Sequence, residues 1–317
     1  MALFLSENDV KQVLTVEMAL EGVESAHRDL ALGQALDTPR ARTRLPQTAL
    51  HLLQGGLPAQ GVLGYKAYTS NRSGNRFLVH LFDAASGQLK AIIEADYLGM
   101  IRTGAASGVA AKWLAKPDAK IAGVFGAGWQ AEGHVRAICA ALPLECVKVF
   151  SRKTERLQAF CERLSTITGV AVIPAESAEA TVRGSDLIGT VTTAAQPLFD
   201  AAWLEPGMHI NAAGSNALIR QELSEASVRR CDLIAVDSVP TALAEAGDLL
   251  PLLEKGRLHS RQLLELGEVI IGRHAGRASS EQITLFESQG MAIQDIAVAL
   301  RVLAAADARG LGSELPI

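Results

Sequence analysis

The chain has 317 residues, enough for two domains of ordinary size, and its 49% hydrophobic and 20% charged residues can bury a sizeable core, which excludes a disordered chain. The net charge of -4 is dispersed, and no Lys/Arg run offers a face to nucleic acid or an anionic membrane. No apolar run approaches the ~20 residues of a membrane span, MALFLSENDVKQV does not read as a leader, and the four cysteines and seven histidines lack zinc-type spacing. The expectation is a cytoplasmic protein with reduced thiols and no metal.

Residues 1 to about 117 mix helix and strand signals. A helical period runs over 6–32 behind a capping-type Ser6. GVLGYKAYTS at 61–70 and RFLVHLFDAASGQL at 76–89 read as strands, and LHLLQGGLPAQG at 50–61 as a loop that shapes the substrate pocket. RTGAASGVAAKWLA at 102–115 reads as a helix of small side chains that lets another backbone approach, ended by Lys116-Pro117. From about 118 short apolar runs alternate with helical stretches: IAGVF, VKVF, VAVI, DLIGTV, HINAA and DLIAV. Six such runs fit a Rossmann-type, doubly wound parallel sheet over 118–289. The stretch 283–310 returns to a helical period, and the helix over about 290–317 is expected to complete the first domain, an α+β substrate and dimerisation domain over 1–117.

Gly126, Gly128 and Ala131 stand at Gly-x-Gly-x-x-Ala spacing after a strand and before a helix, with VKVF one βα unit on. That context points to a dinucleotide. Gly126 permits the tight turn, and Ala127 and Gly128 give backbone access to the pyrophosphate at the helix N-terminus. Trp129 and Gln130 lie over the phosphates, and Ala131 keeps helix and strand close. An acid at the end of the second strand would mark NAD. Ser151, Arg152 and Lys153 stand there instead and suit a 2′-phosphate, so NADP(H) is expected in preference to NAD(H); the alternative is a solvated basic loop.

Arg42-Thr43, GYK at 64–66, RTGAASGVAAKWLA, GAGWQA at 126–131, INAAGSNALIRQEL at 210–223 and LFESQGMAIQD at 285–295 together resemble the ornithine cyclodeaminase/mu-crystallin family over nearly the whole chain. The resemblance implies a two-domain homodimer with its site in the cleft between the domains. It implies that Arg42 holds a substrate carboxylate; Arg40 and Arg44 flank it, and the spacing to Thr43 and Pro46 favours Arg42. It implies that Lys66 binds the carboxylate and donates a proton, although the residues alone read as an edge-strand lysine. Arg102, read as heading its helix, would touch substrate carboxylate and cofactor phosphates, with Thr103 adding a hydroxyl. Thr192 and Thr193 would line the nicotinamide ribose, and Ser288 would lie near the nicotinamide.

The chain departs from the family's cyclodeaminases at Gly214-Ser215-Asn216, where they carry an aspartate. Asn216 can bond substrate but takes up no proton at ordinary pH. With the expected NADPH, this favours reduction of a small 2-imino acid. Δ1-pyrroline-2-carboxylate and Δ1-piperideine-2-carboxylate are candidate substrates. The alternatives, in order, are an amino-acid or N-alkyl-amino-acid dehydrogenase, an ornithine cyclodeaminase, and a non-catalytic mu-crystallin-like binding protein.

Overall fold

The computed structural model describes residues 2–316. By its internal contacts the chain forms two compact units, one of 1–102 with 290–317 and one of 103–289. The division falls at Arg102 rather than at the expected 117. The reason is that α3 (Asp96–Leu114) begins in the first unit and runs on into the second as one helix.

The first unit opens with β1 (Ala2–Leu5), α1 (Glu7–Val13) and α2 (Val16–Ala31). Ser6 caps α1 through a reciprocal pairing with Asp9, and Thr15 caps α2, so the single helical stretch expected over 6–32 is two helices. A meander follows: β2 (Leu36–Arg44), β3 (Thr48–Leu57), β4 (Val62–Asn71), β5 (Gly74–Asp83) and β6 (Leu89–Glu94). The stretch 50–61 is therefore mostly strand, not loop. Its glycines lie where elements crowd: a Cβ on Gly55 would sit 2.7 Å from the Leu36 carbonyl oxygen and 2.9 Å from Ile293. Arg42, expected ahead of the first strands, lies within edge strand β2, whose charge and proline mask its strand character.

The second unit takes most of α3 and then β7 (Ile121–Phe125), α4 (Trp129–Ala141), β8 (Cys146–Phe150), α5 (Leu157–Thr168), β9 (Ala171–Pro174), α6 (Ala178–Val182), β10 (Leu187–Thr190) and β11 (His209–Ala212). It continues through α7 (Glu225–Arg229), β12 (Leu233–Val236), α8 (Val239–Glu245), α9 (Leu250–Glu254), β13 (Leu263–Glu265), α10 (Leu266–Ile270) and β14 (Thr284–Glu287). The chain then returns to the first unit with α11 (Ala292–Asp307) and β15 (Ser313–Leu315).

The second sheet is parallel in the order β13-β12-β14-β11-β10-β7-β8-β9. It has eight strands, not six. β14 lies between β11 and β12 although its four residues sit in a stretch read as helical; so short an apolar run carries no period of its own. Successive residues of β7 feed opposite faces. Ala122 and Val124 pack with Val135, Val149 and Leu164, while Phe125 packs with Phe199 and Ile210. The first sheet runs β15-β1-β6-β5-β4-β3-β2, with α11 packed on its central strands. Leu53, Lys66, Val79 and Ile93 line up across it and are all buried.

Among the described residues no helix is long and apolar enough to cross a membrane, and no group of three or more His, Cys, Asp or Glu is arranged to hold a metal ion. Of the four free cysteines only Cys161 is buried, the others half-buried. The small-residue helix does admit a neighbouring backbone: a Cβ on Gly104 would fall on the Gly133 carbonyl of α4. Gly104→Ala is therefore expected to destabilise the protein by about 1–3 kcal/mol in urea unfolding, the range for overpacking, although alanine is the better helix former.

Candidate active site

β7 ends where Gly126 takes φ +118°, a conformation open to glycine, and a Cβ there would lie 2.5 Å from the Val191 carbonyl oxygen. The Gly126 N–H donates to the Phe150 carbonyl at 2.9 Å, which sets the turn beside the residues after β8. Gly128 caps α4 without any side-chain bond, and a Cβ on it would meet nothing within 4 Å. The N-terminus of α4 thus has room beside Gly128, on the side a Cβ would occupy. Trp129, at the first helical position, is 44% exposed, Gln130 is half-buried beside it, and Ala131 is fully buried.

Ser151, Arg152 and Lys153 follow β8 directly. Ser151 Oγ accepts from the Lys153 N–H at 3.2 Å, and both basic side chains are exposed. After β10 the Thr192 N–H is held by Glu222 at 2.5 Å, and Thr193 is exposed. Ser215 is buried against Glu287, while Asn216 beside it is exposed. Ser288 is buried and donates to Asp237 at 3.0 Å, so its hydroxyl already serves the fold.

The first unit assembles the cations. Lys66 comes from the central strand β4, not an edge, and Arg102 from α3. Lys66 Nζ and Arg102 Nε both donate to Oδ1 of Asp295 on α11, each at 2.9 Å. All three side chains are at least 93% buried. Arg102 also donates to Gln294 Oε1 at 3.1 Å, and Gln294 meets His27 at 3.1 Å. Arg102 lies six residues inside α3, so the expectation that it heads the helix is incorrect; Asp96 occupies the first turn. Thr103 follows it, half-buried.

Burial lowers the Lys66 ammonium to about 8; Asp295 opposes the drop, while Arg102 and Arg40 deepen it. Burial raises the Asp295 carboxyl, but Arg102 and Lys66 outweigh it and hold the acid below its ordinary value. Arg42 pairs in register with His51 on the neighbouring strand. Burial, then Arg42, Arg40 and Arg44, push that histidine down to about 4, so it stays neutral. Arg42 is thus two strands from Lys66, and the charge of Arg40 reaches Lys66 as well as His51.

Residues 1–309 match the model of the ornithine cyclodeaminase/mu-crystallin family. The chain belongs to this family. The Δ1-pyrroline-2-carboxylate reductase of Bacillus cereus is 33% identical over 325 residues, 99% of either chain. The same-named reductase of Thermococcus litoralis, solved in complex with NADH and L-proline, is 30% identical, with a TM-score of 0.94 over 99% of this chain and 100% of its own. An archaeal alanine dehydrogenase dimer with bound NAD is also 30% identical, with a TM-score of 0.93 over 100% of this chain and 99% of its own. Within the ornithine cyclodeaminase/mu-crystallin family the chain stands with the imine reductases and amino-acid dehydrogenases, as a nicotinamide-dependent oxidoreductase.

Sequence reasoning missed Asp295, although it ends the LFESQGMAIQD segment that carries the family likeness. The available signal was an acid in the first turn of an otherwise apolar helix. It also missed Glu222, Asp248 and Glu287, all fully buried. Removing the shared acid should cost far more than removing one of its cations. Asp295→Asn leaves two buried cations uncompensated and is expected to lose about 3–5 kcal/mol in urea unfolding, the range for breaking a buried pair. Lys66→Met leaves Arg102 to pair with Asp295 and should cost clearly less.

Proposed function

We propose that this chain reduces the C=N bond of a small 2-imino acid with NADPH in preference to NADH, and that a cyclic ketimine such as Δ1-pyrroline-2-carboxylate or Δ1-piperideine-2-carboxylate is the substrate. The observation that carries this reading is the cation cluster. Lys66 and Arg102 share one carboxylate oxygen, so the buried group of three keeps a net positive charge. A substrate carboxylate suits that excess, and the Arg102 guanidinium and the Lys66 ammonium supply donors for it. Arg42 and Arg40, both on β2, add positive charge two strands from Lys66.

When bound, a nicotinamide cofactor would supply the hydride that the imine carbon takes up. Lys66 supplies the accompanying proton to the nitrogen, and together they give the amino acid. An ammonium with a pKa of about 8 is matched to that task near neutral pH. Ser151, Arg152 and Lys153 support the NADPH preference, since a carboxylate at that place would repel a 2′-phosphate. Asn216 in place of an acid argues against the cyclodeaminase reaction. The second reading, an amino-acid dehydrogenase, rests on the likeness to the archaeal enzyme.

The deciding assay follows NADPH and NADH absorbance with a panel of 2-imino acids, with pyruvate plus ammonia or methylamine, and with ornithine plus NAD+ as control. Cyclic imino acids with NADPH should be the best pair. A strong NADH preference refutes the cofactor assignment, and proline formation from ornithine without net NADH refutes the reaction. Activity should also fall as pH rises through about 8, because Lys66 is then deprotonated. In Asp295→Asn the upward pull on Lys66 is lost, so the falling limb should move to lower pH; an unmoved limb would exclude Lys66 as the proton donor.

The protein is proposed to act as a homodimer. Leu50, Leu52, Leu63, Tyr65, Leu78 and Phe82 share the sheet face opposite Lys66, none of them is buried, and Leu63 is 44% exposed. A sheet face of this composition calls for a partner, and a second copy meets it with the same residues. Leu63→Asp should shift the light-scattering mass from dimer to monomer.

A further inference from the structure

Among the carboxylates that the second unit buries, Glu222, Asp248 and Glu287 are wholly shielded from solvent, and the proposed reduction does not use them. Asp248 and Glu222 act on the backbone in sequence. Asp248 Oδ1 accepts the N–H groups of Glu222 at 2.8 Å and Leu223 at 3.0 Å, which fixes the chain that carries Glu222. Glu222 in turn accepts the Thr192 N–H through Oε1 at 2.5 Å and the Gly214 N–H through Oε2 at 2.8 Å. Glu287 engages the Ser215 hydroxyl and, at 3.0 Å, the Gln289 amide.

The two segments that Glu222 joins leave the sheet at its C-terminal edge, after β10 and after β11. Doubly wound sheets take dinucleotides at that edge, where the strand order reverses. Here the reversal lies between β7 and β10, with β8 and β9 on one side and β11 on the other. The packing at this place has no slack. A Cβ on Gly214 would fall on both the Glu222 carboxyl carbon and the Thr192 carbonyl, and one on Gly126 would meet Val191. The glycine turn, residues 191–192 and Gly214 are thus in contact one after another, and the two oxygens of Glu222 set the last spacing. Each oxygen of this buried side chain takes one backbone N–H, so the spacing is fixed from both sides.

We propose that Glu222 is a positioning residue for the nicotinamide half of the cofactor: by bridging the backbones at Thr192 and Gly214 it fixes the wall of the crevice beside Gly126. The inference rests on the reading that the glycine turn holds a nicotinamide dinucleotide. Glu222→Gln keeps the size of the side chain but turns an NH2 group toward one of the two N–H groups, and so releases one segment.

Affinities are compared for the reduced cofactors, NADPH and NADH, and for 2′-phospho-ADP-ribose and ADP-ribose, which lack the nicotinamide. Glu222→Gln should weaken the better reduced cofactor about tenfold or more and shift the matching ADP-ribose less than about twofold. Glu222→Asp keeps the charge but shortens the bridge, should fall between wild type and Glu222→Gln, and carries the test if Glu222→Gln does not fold. Equal weakening of both ligands makes Glu222 a folding element only and overturns the proposal, as does an unchanged ratio. If the wild-type protein binds neither reduced cofactor, the dinucleotide reading itself fails.

Discussion

One carboxylate oxygen facing two buried cations governs the chemistry of the first unit. Asp295 could neutralise a single partner; shared between Lys66 and Arg102, it leaves one positive charge in excess. Burial pulls the Lys66 pKa down to about 8, with Arg102 adding to the drop and Asp295 opposing it. Three elements far apart in sequence must meet for this: β4 brings Lys66, α3 brings Arg102 and α11 brings Asp295.

The second unit solves the opposite problem. Its buried acids Glu222 and Asp248 accept backbone N–H groups and so hold segments of chain together. The glycine turn works by the reverse device, with Gly128 capping α4 without a side chain. The fold thus ties down its loops with acids on one side of β7 and keeps a glycine turn at the strand's end.

Much of this was legible in the sequence. The strand, glycine turn and helix at 121–141 carried a strong local pattern, because tight turns and close packing restrict residue choice directly. The parallel strands were found wherever an apolar run was bounded by helical stretches. β14 was not, because four buried residues next to a long apolar helix have no period to separate them. β2 and β3 were missed because charge, proline and glycine obscure the strand pattern at a sheet edge and under a closely packed helix. Lys66 and Arg102 could be picked out only by family likeness. Their partner Asp295 could not be paired with them, since a contact across 229 residues leaves no mark in local composition.

The first unit is made of the two ends of the described chain, and the second is continuous between them. During synthesis the residues 103–289 can therefore fold as soon as they emerge, whereas the first sheet must wait for α11 to cover it. Lys66 and Arg102 are made early and lack their counterion until residue 295 has been added. Until then both cations keep their water, so the site cannot close around its charges before α11 has been made. An aspartate 193 residues after Arg102 thus times the maturation of the site.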